Sequence, residues 1–237
     1  MWTEKVLLSD LRERDCWKVE FFCGETTTKN ATKFDLVVLR DIVEERRQTL
    51  DPQAEPNDLF NYIGLENIQS VTGDLLNFKP KYGKEIRSRS KVFCAGNILY
   101  GRLRPNLNKV YLADEPVSSG ICSGEFYVLS CQQNKVLPNF LRAVLASKYV
   151  QQYVCRWQTG SALPRLQIHD LLAIKIPLPP LNVQLIYEEF LIRENNHRCR
   201  LAAELAELPQ RTLDAVVQSL ESGEESVMTS PFIHLAG

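Results

Sequence analysis

The sequence predicts an α+β fold in which a strand-rich region with a few helices comes first and a long helical region follows. Within residues 93–130, short apolar segments alternate with Gly, Asn, Asp and Pro, a pattern typical of short antiparallel strands joined by tight turns. Within residues 181–208, apolar side chains recur at steps of four and three, which is typical of a coiled-coil helix. Pro179 and Pro180 lie between the two patterns and predict the boundary.

The first part of the chain has a mixed pattern. A short strand is predicted at residues 18–22, and apolar residues at helical spacing predict a helix over residues 36–50. Pro52 and Pro56 then lie in a polar loop that cannot continue this helix. Strand and turn character resumes at residues 60–68.

The central part is predicted to form three strands, at residues 98–100, 110–112 and 126–129. Apolar residues at spacings of three and four then predict one amphipathic helix over residues 137–157. Alternating residues at 174–178, which include a proline, predict an edge strand.

The C-terminal helical region is predicted to have an apolar seam with two polar members. Polar seam positions weaken a coiled coil but fix its register and partner. Pro209 is predicted to kink or interrupt the helix before a second, shorter apolar stripe. We therefore expect a strand-rich domain at residues 1–178, a helical region at 179–222 and a flexible tail at 223–237. The seam residues are Val183, Tyr187, Phe190, Glu194, His197, Leu201, Leu205 and Leu208.

Composition excludes several classes of protein. The 237 residues are 44% hydrophobic and 24% charged, as in an ordinary globular protein. No apolar run is long enough to span a bilayer, and the charged N-terminus does not fit a signal peptide. The seven cysteines are scattered without a CxxC pair, so they support neither a zinc site nor a disulfide scaffold. We expect reduced thiols in a cytoplasmic protein.

The net charge of −1 hides an uneven distribution. Between positions 79 and 109, nine basic residues are opposed by Glu85 alone, whereas the region after residue 180 is acidic. Within the basic segment, residues 101–109 form a turn rich in Arg and Asn, whose paired donors and acceptors match guanine and adenine edges. The sequence therefore predicts a nucleic-acid-binding surface. A solvated charged face is the alternative interpretation.

Little in the sequence supports catalysis. His169 and Asp170 are neighbours in sequence, but no positioned nucleophile accompanies them. There is no glycine-rich phosphate loop, and three histidines without paired cysteines do not predict a zinc site. We expect a protein that is not an enzyme and that holds no cofactor or metal.

Five segments, in this order, carry a resemblance to a known family. With them, residues 34–222 resemble the specificity subunits of type I restriction–modification systems. The segments are residues 62–68 (YIGLENI), 96–109 (GNILYGRLRPNLNK), 120–126 (GICSGEF), 160–166 (GSALPRL) and 174–184 (IKIPLPPLNVQ).

The resemblance implies a target recognition domain that reads part of a split site in double-stranded DNA. It also implies helices that set the distance between half-sites and dock DNA methyltransferase subunits, with a restriction subunit as a further partner. Full-length members carry two such units, whereas this chain holds one. A homodimer, a second half-subunit or truncation of a longer protein would each explain the difference. The predicted dimerisation residues are Val183, Tyr187, Phe190, His197, Leu201, Leu205 and Leu208.

The resemblance also indicates where DNA would be read. Bases are expected to be chosen by residues 78–90 and by the loop at 157–161, while basic side chains contact phosphates. The predicted DNA contacts are Lys81, Lys84, Arg87, Arg89, Lys91, Arg102, Arg104, Asn106, Asn108, Lys109, Arg156 and Gln158.

Other roles are open for parts of this set and for the chain as a whole. Arg102 and Arg104 lie in a turn whose constancy within the family also fits a role in bracing the fold. Arg165 is as well placed to pair with a carboxylate such as Asp170 as to contact DNA. For the whole chain, the alternative is a coiled-coil assembly or protein-interaction module in a related defence or mobile-element system.

Overall fold

Short strands dominate the computed structural model, which describes residues 33–156 and 163–222. The predictions for residues 18–22, 157–161 and 223–237 lie outside the described residues. The described residues divide into two compact units between Glu188 and Glu189. The strands are β1 (Leu36–Val38), β2 (Val43–Glu45), β3 (Thr49–Leu50), β4 (Leu59–Phe60), β5 (Tyr62–Ile63), β6 (Lys81–Tyr82), β7 (Ser90–Phe93), β8 (Ile98–Gly101), β9 (Val110–Leu112), β10 (Gly120–Cys122), β11 (Phe126–Cys131) and β12 (Lys175–Pro177).

Two four-stranded sheets hold most of these strands. One sheet has the order β2-β11-β8-β9 and the other β3-β7-β10-β5, while β4 pairs with β6 and β1 with β12. Among the described strands, β10 and β5 pair in parallel and the other pairs are antiparallel. The three predicted central strands are confirmed as β8, β9 and β11, with Ile98 opposite both Leu112 and Leu129. The predicted edge strand is confirmed as β12.

The alternation of side chains along β8 divides the apolar core into two clusters. Ile98 and Tyr100 belong to a cluster that also contains buried residues of the helices. Leu99 belongs to a second cluster with Ile63 and Phe93 from the other sheet. Because successive side chains of a strand point to opposite faces, one sheet buries apolar residues on both sides.

The prediction of a helix over residues 36–50 is wrong. This segment forms β1, a 3₁₀ turn over Leu39–Asp41, β2 and β3. The strands β1, β2 and β3 pair with β12, β11 and β7 instead of forming α-helical hydrogen bonds. Val37, Val38 and Val43 are β-branched and favour strands. Pairing with distant strands therefore overrides the helical spacing of the apolar residues.

The single helix predicted over residues 137–157 is two helices, α1 (Pro138–Ala146) and α2 (Lys148–Arg156). Ser147 separates them with an extended backbone, at φ −70° and ψ 156°. Its hydroxyl accepts a hydrogen bond from the N–H of Val150 at 3.4 Å, as an N-cap residue does. The serine therefore ends one helix and starts the next.

A short helix, α3 (Ile168–Leu172), precedes β12, and the long helix predicted after residue 180 is α4 (Leu181–Ser222). The helix α4 continues through Pro209, so of the two predicted alternatives the interruption is wrong and the kink stays a prediction. An internal proline removes one backbone hydrogen bond and costs roughly 3 kcal/mol of helix stability. None of the helices in residues 33–156 and 163–222 has the length and hydrophobicity of a membrane-spanning segment.

The first turn of α4 is anchored in the strand-rich unit by a buried amide. The Gln184 side chain is fully buried although it is polar. Its Nε2 donates to the carbonyls of Lys135 at 2.9 Å and Pro179 at 2.8 Å, and its Oε1 accepts from the N–H of Leu137 at 2.9 Å. Each polar atom of the amide is thus satisfied, as burial requires.

Candidate nucleic-acid interface

The basic segment after residue 79 folds around a tight turn. The strand β6 leads into a 3₁₀ turn over Gly83–Glu85, and the N–H of Tyr82 donates to the Glu85 carboxylate at 2.7 Å. The N–H of Gly83 donates to the carbonyl of Asp58 at 2.9 Å. A Cβ at position 83 would collide with backbone carbonyls of the loop at residues 51–58, so this close approach requires glycine.

Three predicted DNA contacts are exposed on this turn and on the segment that follows it. They are Lys84, Arg87 and Arg89. The Nζ atom of Lys84 lies 5.3 Å from the centre of the Tyr82 ring, and Tyr82 is 47% exposed. The three charges are accessible to a phosphate backbone.

Two other basic side chains of the segment pair with carboxylates. The Nζ atom of Lys81 lies 3.7 Å from Glu66 Oε1. The Nζ atom of Lys91 lies 3.5 Å from Glu45 Oε1 and 5.0 Å from the centre of the Tyr127 ring. Their charges are partly neutralised within the fold.

The loop at residues 51–58 brings acidic groups close to the basic turn. This proximity was not predicted from the sequence. Glu55 and Asp58 are exposed, and the backbone carbonyl of Asp58 bonds to Gly83. The surface is therefore less basic than the segment at residues 79–109 suggested.

A second basic cluster surrounds Glu125. Arg165 donates two hydrogen bonds to this carboxylate, at 2.8 and 3.3 Å. Arg102 Nε lies 3.8 Å from it, and the Arg102 guanidinium lies 5.3 Å from the centre of the Tyr127 ring. The hydrogen bonds from Arg165 hold the pKa of Glu125 below its ordinary value of 4.5. Of the two interpretations of Arg165, the structure thus shows a carboxylate pair, with Glu125 as the partner.

The amide-rich turn contains a 3₁₀ turn over Pro105–Leu107 with a left-handed residue on each side. Arg104 has φ 48° and Asn108 has φ 50°. Asparagine tolerates this conformation better than most residues do. Arg104 and Asn106 are exposed, so both can reach a ligand.

Asn108 and Lys109 use their side chains within the fold. Asn108 is 7% exposed, donates to the carbonyl of Ala146 at 2.7 Å and accepts from Gln151 at 3.0 Å. The Lys109 ammonium donates to the carbonyl of Leu65 at 2.6 Å. Asn108 is thus buried and bonded within the fold, and its predicted DNA contact stays a prediction. Lys109 is partly exposed and stays a prediction.

Two predicted contacts cannot be placed. Gln158 lies outside the described residues, and Arg156 ends α2 with its side chain outside the description. The exposed members of the predicted set in the described part of the chain are Lys84, Arg87, Arg89, Arg104 and Asn106.

The pair considered for catalysis is His169 and Asp170. Their Nε2 and Oδ1 atoms lie 3.3 Å apart, and the imidazole is exposed. Across residues 33–156 and 163–222, no group of three or more His, Cys, Asp or Glu side chains could hold a metal ion.

The predicted seam of α4 is largely exposed. The exposed fractions of Phe190, Leu201 and Leu205 are 48%, 51% and 68%. The Tyr187 ring, in the first unit, lies 5.9 Å from the Phe140 ring. His197 is exposed, while Val183 and Leu208 are partly buried.

The prediction from sequence missed Leu59 and Glu125, and it included Tyr82 only as part of the base-choosing segment 78–90 without naming it. Tyr82 follows Lys81 directly, and an aromatic residue inside a basic run was a usable signal. Leu59 lies opposite Tyr82 in the β4–β6 pair, which the sequence does not reveal. The contact of Glu125 with Arg165 spans 40 residues and has no local signal.

Comparison with known proteins identifies related chains. The family model described as the type I restriction modification DNA specificity domain matches residues 32–193. The chain is 27% identical over 152 residues to the type I restriction enzyme EcoDI specificity subunit of Escherichia coli, covering 64% of this chain and 31% of that protein. It is 25% identical over 150 residues to the HindI specificity subunit of Haemophilus influenzae, covering 62% and 32%.

Solved structures show a similar fold. The HsdS subunit from Thermoanaerobacter tengcongensis matches with a TM-score of 0.59 at 25% identity, covering 78% of this chain and 48% of that one. A structure described as the basis of complex assembly and conformational transition of the type I R-M system matches with a TM-score of 0.61, with the same identity and coverage. The S subunit from M. genitalium matches with a TM-score of 0.53 at 15% identity, covering 85% and 49%, which supports the fold alone.

The chain spans about a third of the length of these curated relatives and about half of the solved chains. The resemblance carried by the five segments and the predicted α+β fold are both confirmed. Because the family model covers more than half of the 237 residues, the chain belongs to the type I restriction modification DNA specificity domain family.

Proposed function

We propose that this chain is the DNA-recognition part of a type I restriction–modification specificity subunit and reads one half of a bipartite site in double-stranded DNA. It acts in the cytoplasm and contributes no chemistry of its own. Methyltransferase subunits dock on its helices, and a restriction subunit is a further partner. The specificity subunits among its relatives support this proposal.

The observation that carries the proposal is the exposed basic group Lys84, Arg87 and Arg89 beside a turn with a clamped backbone. Three accessible charges in one short segment suit contact with successive phosphates. Because the loop at residues 51–58 fixes the turn, less conformational freedom is lost when DNA binds.

A second element that supports the proposal is the turn that presents Arg104 and Asn106. Both side chains are exposed and carry the donors and acceptors that base edges pair with. Lys81, Lys91 and Arg102 pair with carboxylates, so we assign them weaker contacts with phosphates.

We also propose that α4 joins the chain to a second helical region, from a second copy or from a separate half-subunit. Phe190, Leu201 and Leu205 expose apolar surface that a partner helix would remove from water. The proposed contact includes Val183, Tyr187, His197 and Leu208. A two-fold pair would present two recognition domains to the two halves of a split site.

The second candidate function is a coiled-coil assembly or protein-interaction module. The net charge of −1 favours it, because small nucleic-acid binders are usually basic. The exposed Glu55 and Asp58 beside the turn favour it as well. In this case, α4 would bind its partner and the strand-rich unit would bind protein.

The test is the mass of the purified chain in solution, alone and with a pool of random duplexes, followed by sequencing of the retained DNA. A dimer that enriches a two-part motif, with retention that falls steeply as salt rises, supports DNA recognition. A dimer that retains no DNA, alone or with a methyltransferase partner, supports the assembly module and overturns the proposal.

A further inference from the structure

We propose that Leu59 and Tyr82, paired on the β4–β6 ribbon, contact the 5-methyl group of a thymine in the DNA major groove. The inference rests on the proposed DNA-recognition function and names an apolar part of the surface that reads bases. It adds Leu59, which lies outside all predicted DNA contacts, and Tyr82, which lies within the predicted base-choosing segment 78–90 but was not named as a contact.

The register of the ribbon places both side chains on one face. Leu59 lies opposite Tyr82, and Phe60 lies opposite Lys81. Directly opposed residues of an antiparallel pair share a face, and their neighbours point to the other face. Leu59 is 59% exposed and Tyr82 is 47% exposed. The two side chains therefore form one outward apolar strip.

The fold keeps this strip from collapsing onto the domain. The Tyr82 N–H is held by the Glu85 carboxylate at 2.7 Å, and the next residue, Gly83, is bonded to the Asp58 carbonyl at 2.9 Å. Asp58 directly precedes Leu59, so the same hydrogen bond ties together the chain ends of both strands. These bonds fix the backbone of the ribbon, and the two exposed side chains on its outer face are suited to contact a ligand.

Exposed charges of both signs lie beside the strip, since Asp58 and Glu85 are acidic and the Glu85 carboxylate is engaged by the Tyr82 N–H. We take the basic side chains to indicate the kind of ligand. The Lys84 ammonium lies 5.3 Å from the Tyr82 ring, and Arg87 and Arg89 are exposed in the same segment. A matching partner has apolar groups close to a row of negative charges. Duplex DNA has this combination in its major groove, which admits a two-stranded ribbon and displays the thymine methyl group between phosphate backbones.

The test removes that methyl group from DNA. The full chain first selects its target, and each thymine of the target is then replaced singly by deoxyuridine, which lacks only the 5-methyl group. For wild type we expect roughly fourfold weaker binding at one or two positions, the effect of losing about one buried methyl group.

Variants at Leu59 and Tyr82 test whether the ribbon causes the weaker binding of the uracil-substituted DNA. In Leu59→Ala and in Tyr82→Ser, the discrimination between thymine and uracil at those positions should disappear. Tyr82→Phe keeps the ring and should keep the discrimination. Leu36→Ala is the matched control, because Leu36 is a 50% exposed strand leucine outside the ribbon. Thermal unfolding confirms that each variant is folded.

The outcomes separate this inference from the proposed function. Specific binding that no uracil substitution weakens overturns the inference, as does a target without a T·A pair. Discrimination that survives in both Leu59→Ala and Tyr82→Ser also overturns it. All three results leave sequence-specific binding in place. Failure to retain any duplex overturns the proposed function itself.

Discussion

Arg165 donates two hydrogen bonds to Glu125, at 2.8 and 3.3 Å, although 40 residues separate them in the sequence. Glu125 directly precedes β11, and Arg165 forms an isolated β-bridge with Leu103, two residues beyond β8. The charge pair and the bridge together hold the segment before α3 against one end of the sheet that contains β8 and β11.

Replacing this carboxylate should lower stability in a pH-dependent way. We expect Glu125→Gln to cost about 1 kcal/mol near neutral pH, since the hydrogen bonds are charge-assisted but solvent screens a partly exposed pair. The hydrogen bonds from Arg165 lower the pKa of Glu125 below 4.5, so the stabilisation is present above pH 4.5 and is lost as the pH falls through the lowered pKa. Urea unfolding of wild type and variant across this range measures the difference.

The control for Glu125→Gln is Glu66→Gln, because Glu66 is 67% exposed and its Lys81 partner is 3.7 Å away. This change should have little effect at any pH. A difference between wild type and Glu125→Gln that stays constant from neutral to acidic pH would contradict the prediction.

Removing the buried amide at Asn108 should destabilise the fold. Asn108→Ala deletes the hydrogen bonds to Ala146 and Gln151 and places alanine at φ 50°, for a total cost of about 2–3 kcal/mol. Chemical denaturation measures this cost. Asn106→Ala, at an exposed position of the same turn, should leave stability nearly unchanged. A fully stable Asn108→Ala chain that has lost DNA binding would contradict the structural role and support the predicted DNA contact of Asn108.

Relieving the backbone strain at Val71 should stabilise the protein. Val71 is 60% exposed and has φ 71°, a conformation that is unfavourable for a β-branched residue. We expect Val71→Asn to gain about 1 kcal/mol, because asparagine tolerates the left-handed region. The measurement is the urea midpoint at unchanged slope. Val71→Thr keeps the β-branch and should gain little; an equal gain in both variants would refute the argument from backbone strain.

Neutralising the exposed basic group should reduce the salt dependence of DNA binding. For Lys84→Gln, Arg87→Gln and Arg89→Gln combined, we expect the slope of log K against log salt to decrease in magnitude by about 2.7, which corresponds to three phosphate contacts. The binding isotherm at several salt concentrations measures this slope. Arg40→Gln, Lys148→Gln and Lys175→Gln together remove three exposed charges elsewhere and form the matched control. Equal slopes for the two triple variants would argue against phosphate contacts at the turn.

Sequence reasoning succeeded where the signal is local. The strands β8, β9 and β11 follow from short apolar segments between turn residues, and these segments pair with near neighbours in sequence. The helix prediction for residues 36–50 failed because the strands that pair with this segment, β12 and β11, lie far away in the sequence. Its apolar spacing predicted the burial of Leu39, Ile42 and Val43 but not the exposure of Leu36, whereas the strand pairing fixed the backbone conformation.

In the candidate site, too, features with a local signal were predicted and features that depend on distant contacts were not. The basic residues Lys84, Arg87 and Arg89 were identified from composition, and they are exposed. Asn108 was chosen because its residue type suits base edges, but its burial depends on contacts with α1 and α2, which the sequence does not reveal. Leu59 was missed because its exposure beside Tyr82 depends on strand register.

The turn at Gly83 is positioned by main-chain atoms alone at two points: the N–H of Gly83 bonds to Asp58 and the N–H of Lys84 bonds to Pro56, at 2.9 and 3.0 Å. Neither bond depends on the side chains at positions 82, 84, 87 or 89. Substitutions at these positions can therefore accumulate while the loop keeps its shape. A surface built this way can be retargeted one side chain at a time, by natural variation or by directed evolution, provided that position 83 stays glycine.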